Sequence, residues 1–200
     1  LRLQETKSDQ YQGHWGQLKS GLTGAVSPDG LTWTDLEEPL LEEFVDGDNI
    51  VFYDEQLGKY VGYLRFHVAG RRCVGRSVSD DFRTFSPEQL MVLPDPLDPP
   101  DSSFYNHAYT RYPGRNDLHL MLLSRFSQST STKDIQLAVS HDGLYWCRPD
   151  RNNHLMSTDS EGFGHGSILF CGPGLLEMPD GRYGATYWGN ARTDAHRSDH

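Results

Sequence analysis

Ala25-Val26-Ser27-Pro28-Asp29-Gly30-Leu31-Thr32-Trp33 returns twice further along the chain, as Ser77-Val78-Ser79-Asp80-Asp81-Phe82-Arg83-Thr84-Phe85 and as Ala138-Val139-Ser140-His141-Asp142-Gly143-Leu144-Tyr145-Trp146. Each copy runs small residue, Val, Ser, one variable residue, Asp, then Gly or Phe, and closes on an aromatic. This is the chemistry of a hairpin turn. Ser and Asp side chains cap the backbone N–H groups, Gly accepts a positive φ, and the aromatic packs back across the sheet. Asp29, Asp81 and Asp142 are therefore read as turn residues rather than catalysts. The three serines, at 27, 79 and 140, lie 52 and 61 residues apart. That is close to the roughly 40 to 50 residues, plus loop insertions, of one four-stranded unit in a repeating all-β array.

The stretches between the turns repeat in order as well. Asn49-Ile50-Val51-Phe52-Tyr53 leads through a turn at 54–58 into Lys59 to Phe66, and Arg72 to Val78 enters the second copy. His107 to Tyr112 leads through 113–117 into Leu118 to Leu123, and Ile135 to Val139 enters the third. A last apolar run, Ser167 to Met178, turns at Pro179-Asp180-Gly181 and climbs to Trp188. Apolar strand, turn and strand thus recur at blade length. The expectation is one all-β domain over 1–200, an incomplete β-propeller of about three blades: a blade tail at 1–40, blades at 41–100 and 101–155, and a partial blade at 156–200. Closed propellers have about four to eight blades, so the chain reads as a fragment of one.

Composition narrows the partners. A chain of 200 residues can bury a real core, and 20 Gly and 11 Pro with 12% aromatic residues suit short strands joined by turns. The formal net charge of -10 opposes binding to nucleic acid or to an anionic membrane, so neither is expected as partner. Cys73, Cys147 and Cys171 are odd in number and widely spaced, with no zinc-type Cys/His spacing, so neither a disulfide framework nor a metal or other cofactor is expected. No stretch approaches the roughly 20 apolar residues of a membrane-spanning helix. Oligomeric state and compartment are not readable from these residues.

The stretch from Ala25 to Gly189 resembles the five-bladed β-propeller glycoside hydrolases, the superfamily of arabinanases, xylosidases and invertases, and more closely a group of bacterial glycosyl-hydrolase-like propellers. The resemblance is carried by Ala25 to Gly30 with Trp33, Asp48-Asn49 with Phe52-Tyr53-Asp54 and Gly58-Lys59-Tyr60-Val61, Gly70-Arg71-Arg72 with Gly75-Arg76-Ser77, Asp80-Asp81-Phe82, Phe104-Tyr105-Asn106, and Gly172-Pro173-Gly174-Leu175. It implies a partial five-bladed propeller acting on a carbohydrate. One departure stands out: Gly164-His165-Gly166 occupies the place where the resemblance leads one to expect an acidic residue.

In a propeller the innermost strands converge on a central channel, and the residues that open them ring one mouth. Here these are Asp46, Asp48 and Asn49, then Tyr105, Asn106 and His107, then Glu161, His165 and Ser167. Glycoside hydrolysis needs two carboxyl groups about 5 to 10 Å apart, one as proton donor and one as base or nucleophile. Asp48 and Glu161 are the candidate pair. Asp48 follows Gly47 and opens an apolar strand, with loop capping as its competing role, and Glu161 lies in a stretch that also reads as a solvated loop. Asn49, Asn106, His107 and His165 are candidates for hydrogen bonds to sugar hydroxyls, and Arg71 and Arg72 for a bidentate grip on a sugar carboxylate. Trp33 and Trp146 are expected as core anchors rather than sugar platforms. The competing function is a non-catalytic propeller that binds glycan or protein at the same mouth. Phosphorolysis ranks below both, with only Arg71, Arg72 and Arg125 available for phosphate.

Overall fold

The computed structural model describes residues 21–43, 45–158 and 169–190. Every element among them is a β-strand, in several antiparallel sheets with no closed barrel. No helix is long and apolar enough to cross a membrane. The chain divides into two compact units, Leu1–Gly70 with Gly75–Gln89, and Arg71–Val74 with Leu90–His200.

The first unit opens with a short pair, β1 (Ala25–Val26) on β2 (Thr34–Asp35), joined by the first copy of the repeated turn. A four-stranded sheet is ordered β3-β4-β5-β6, from β3 (Ile50–Asp54), β4 (Lys59–Val68), β5 (Arg71–Ser79) and β6 (Gln89–Val92). The 54–59 turn closes because Asp54 Oδ1 accepts the N–H groups of Gln56 and Leu57 at 3.0 and 3.2 Å while Gly58 takes a φ of 63°. Leu40, Leu41, Leu64 and Phe85 form the core of this unit, with Val51, Tyr60 and Phe82 packed around them.

The second unit repeats the meander. β9 (His119–Ser127) and β10 (Thr132–Ser140) pair over nine residues, and β7 (Ser102–Asn106) and β8 (Tyr109–Arg111) both pair with the other edge of β9. β7 and β8 act as one edge strand, broken where the register shifts between Phe104 and Asn106 and where Ala108 takes a φ of 35°. The sequence reading starts this strand at His107; the structure starts it at Ser102, because Ser102 to Phe104 continue the ladder on the far side of the break. Between β10 and residue 158 the chain returns to β10 through isolated bridges, Val139 to Cys147 and Ile135 to Met156. β11 (Leu169–Cys171) pairs with β14 (Tyr187–Gly189), and β12 (Leu176–Glu177) with β13 (Tyr183–Gly184) across the turn at Gly181. Ala108, Leu122, Ile135 and Cys171 make the core here.

The three repeated turns are built alike. Ser27, Ser79 and Ser140 hydroxyls each donate to the following Asp at 3.0 Å. The acceptor oxygen of Asp29, Asp81 or Asp142 takes two further backbone N–H groups at 2.8 to 3.2 Å. The residue after each Asp has positive φ: 75° at Gly30, 57° at Phe82 and 70° at Gly143. The closing aromatic packs inward twice: Phe85 is buried, and the half-buried Trp146 ring meets Tyr109 edge-on with centroids 6.4 Å apart. Trp33 does not: it is 62% exposed. The two-residue strands β1 and β2 offer no broad sheet face among the described residues for its ring to cover, whereas the other two turns close long strands.

Candidate functional site

In the first unit, Asp48 sits in the loop before β3 with a φ of 61°, a left-handed conformation that non-glycine residues adopt only when their surroundings hold them. Arg65 holds it. Its Nη1 donates to Asp48 Oδ2 at 2.6 Å and its Nη2 lies 2.9 Å from Asp46 Oδ1, so one guanidinium fork bridges two carboxylates. The backbone of Arg65 ties the same loop: its N–H donates to Asn49 Oδ1 at 3.0 Å and its carbonyl accepts the Asp46 N–H at 2.7 Å. Asn49 Nδ2 donates in turn to Asp46 O at 2.7 Å. Both ends of the Asn49 amide are thus engaged in shaping the loop. A Cβ at Gly47 would stand 3.3 Å from Arg65 Nη2, so a larger residue between the carboxylates would make the guanidinium shift by a few tenths of an ångström. The Asp48 side chain keeps 38% of its surface exposed, Asp46 25% and Arg65 only 7%. His67 Nε2 approaches Asp46 Oδ2 at 3.9 Å. The result is an exposed carboxylate of fixed direction, backed by a buried cation.

The second unit gathers a different set. The break in the edge strand turns Tyr105 toward two cations, with Arg72 Cζ at 4.5 Å and Lys133 Nζ at 3.7 Å from its ring centroid. Lys133 is fully buried and also stands 4.3 Å from the Phe170 ring and 5.3 Å from Phe126. Such cation–π contacts strengthen as the cation loses water. Beside them Asn106 is 9% exposed, and its Oδ1 has no donor among the described residues. An acceptor buried without a partner costs about 1 to 3 kcal/mol, which a ligand hydroxyl or amide reaching it would recover. His107 is buried, and Arg71 opens β5 in partial exposure.

Of the residues singled out from sequence, Asp48 and Asn49 therefore meet in the first unit, and Arg72 and Asn106 flank Tyr105 in the second. Glu161, His165 and Ser167 lie outside the described residues. Among the described residues no three His, Cys, Asp or Glu side chains come together as a metal ion would require. Sequence reasoning missed Arg65 and Lys133. The signal was present in both: a cation inside an apolar strand, Tyr63-Leu64-Arg65-Phe66, or just ahead of one, Lys133-Asp134-Ile135, is buried only if something pairs with it.

No family model matches the sequence, and no curated protein does. Solved structures match it. An N-acetylgalactosamine deacetylase from F. plautii, in complex with blood group B trisaccharide, is 13% identical with a TM-score of 0.50, over 80% of this chain and 47% of the deacetylase chain. The likeness is one of fold. A glycoside hydrolase is 15% identical with a TM-score of 0.48, over 79% of this chain and 53% of its own. The protein of a BT0996–RGII complex is 15% identical with a TM-score of 0.47, over 79% of this chain and 53% of its own. The chain spans about half the length of the structures it matches.

Proposed function

We propose that this chain is part of a five-bladed β-propeller of the glycoside hydrolase type, acting on a carbohydrate at the mouth formed by the opening residues of its inner strands. The observation that carries the reading is the fixed, outward carboxylate of Asp48, fastened by Arg65 and flanked by Asp46 and Asn49. A carboxylate held at 2.6 Å by a buried guanidinium is fixed in direction, as a base, a charge-tuning group or a hydrogen-bond acceptor must be. Asp48 takes the part of base or charge-tuning carboxylate, and Glu161 that of general acid. Asn106, His107, His165, Arg71 and Arg72 contact the sugar. Three things support this: the repeated meanders with their shared turns, the fold likeness to a protein solved with a bound trisaccharide, and the sequence resemblance.

A second reading has its own observation. Arg65 neutralises both carboxylates of the loop, and Gly164-His165-Gly166 stands where an acidic residue is expected, as in a propeller that binds glycan without cleaving it.

The deciding experiment is aglycone release from a panel of aryl glycosides, beside glycan-array binding, for the protein and for Asp48→Asn and Glu161→Gln. A hydrolase loses about 10²- to 10⁴-fold in kcat in either variant. Glycan binding without turnover in any form selects the binding reading. Absence of both release and binding rejects the carbohydrate assignment.

A further inference from the structure

A cleft of about 320 Å³ opens in the second unit, where the 97–99 loop meets β9, β10 and the irregular segment at 151–154. Its lining is unusually polar. Asp98, Arg125, Gln136, Arg151, Asn152 and His154 face it, with Leu97 and Pro99 at one side.

Behind this lining lies a buried ion network. Arg148 donates from both ends of its guanidinium to Asp98, at 2.6 Å each, and from Nη2 to Asp95 at 3.2 Å. Arg151 Nη1 donates to Asp95 Oδ1 at 2.5 Å. Gln136 accepts from Arg148 at 3.1 Å and donates to the Arg151 carbonyl at 3.1 Å, which fixes where Arg151 leaves the backbone. On the other side, Arg125 Nη2 donates to Asp134 Oδ2 at 2.8 Å, and His154 Nδ1 lies 3.6 Å from the same oxygen.

Three arginines and three aspartates balance in this set, so charge alone leaves the preferred ligand open. The unused hydrogen-bonding capacity does not balance. Asp98 takes both Arg148 bonds and the Asp95 N–H at 2.9 Å, and Asp134 takes Arg125 together with the Thr158 N–H at 3.4 Å. The donors keep capacity to spare. Among the described residues, Arg151 spends one of its five N–H groups, Arg125 Nε is buried with no acceptor, and the Asn152 side-chain N–H groups have no acceptor. A cleft in which two arginines and a side-chain amide keep N–H groups to spare is suited to a ligand that brings acceptors and negative charge.

We propose that this cleft binds a small oxoanion, the carboxylate of an acidic sugar or a phosphate group, through Arg151, Arg125 and Asn152. The buried Arg148–Asp98 pair is the support that holds Arg151 and Gln136 in place. The site shares no residue with the Asp48 loop, and its test does not depend on catalysis at that loop.

The experiment is titration calorimetry of the whole chain with inorganic phosphate, with glucuronate and with glucose, at constant ionic strength. The expected result is saturable millimolar binding of phosphate or glucuronate and none of glucose, weakened about tenfold or more in Arg151→Met, as loss of a charge-assisted hydrogen bond requires. Binding of phosphate alone identifies a phosphate or phosphoester ligand, and of glucuronate alone an acidic sugar. Because Arg151 also pairs with Asp95, the exposed Asn152→Asp variant is the control for folding: it removes donors, adds negative charge at the cleft, and is expected to weaken the anion by a similar factor with an unchanged melting temperature. No saturable binding of either anion, equal binding of glucose, or binding unaltered in Asn152→Asp overturns the proposal.

Discussion

Arg148 and Asp98 have side chains only 4% and 2% exposed, and they meet in two parallel hydrogen bonds. Two charges taken so far from water are tolerated because each is the other's solvent; the Phe104 ring, 4.8 Å from the Arg148 guanidinium, completes the enclosure. Truncating one partner strands the other. Arg148→Ala is expected to cost about 3 to 5 kcal/mol in urea unfolding at neutral pH. Arg148→Lys is expected to recover only part of that, since an ammonium cannot make the paired bonds of a planar fork. A loss below about 1 kcal/mol for Arg148→Ala would mean that water reaches Asp98. Single residues also set thiol chemistry. Cys73 and Cys171 are buried, and burial pushes the Cys171 thiol up to about 11, whereas Cys147 is exposed. A disulfide-exchange reagent is expected to label one thiol quickly in the native protein and the other two only on unfolding. Fast labelling of two or three in the native state would place Cys73 or Cys171 at the surface.

At the scale of the element, the repeated turn was the part of the fold most legible in the sequence, because its determinants are local. Ser, Asp and a positive-φ residue within four positions dictate the same hydrogen bonds wherever they occur. The middle copy shows the margin involved. Phe82 occupies at 57° a conformation that costs a side-chain-bearing residue about 1 to 2 kcal/mol, and its ring lies 5.1 Å from Tyr60 and 6.3 Å from Phe85, contacts that offset the strain. Gly143 holds the same place in the third copy, at a φ of 70°. Gly143→Ala is therefore expected to lower stability by about 1 to 2 kcal/mol, with Gly143→Asn milder because Asn enters this region more readily; a neutral Gly143→Ala in thermal unfolding would refute the account. What stayed illegible was set by distant partners. The break at Tyr105 to Ala108 depends on how β9 accepts two successive segments, and the exposure of Trp33 on what lies beyond β2. The candidate site was half legible for the same reason. Asp48 and Asn49 announced themselves by opening an apolar strand, but Arg65, which fixes both, comes from the neighbouring strand, 16 residues beyond Asn49.

At the scale of the whole molecule, titrating groups with opposite displacements shape the response to pH. In the first unit, burial and a hydrogen bond with Glu43 raise the Glu88 carboxyl from 4.5 to about 7. A carboxyl that holds its proton more tightly when folded stabilises the fold fully below pH 4.5 and loses that contribution as pH rises through about 7. In the second unit the sign is reversed. The hydrogen bond from Arg151 lowers Asp95 from 3.8 to about 2, so its contribution is present above pH 3.8 and disappears as pH falls toward 2. Asp29, Asp81 and Asp142, lowered chiefly by the backbone N–H groups of their turns, add to the same acid limb. From these groups the joint optimum falls between pH 3.8 and 4.5, lower than the neutral pH at which a net charge of -10 is fully expressed. Unfolding in urea at half-unit steps from about pH 3 to 8 is expected to show stability declining between 4.5 and 7. Glu88→Gln keeps a neutral hydrogen-bonding side chain at all these values and should flatten that decline while leaving the acid limb intact. Asp95→Asn should weaken the acid limb and leave the decline above pH 4.5 unchanged. A decline of the same slope in Glu88→Gln would show that its source is the accumulated negative charge of the chain rather than the half-buried Glu88 carboxyl.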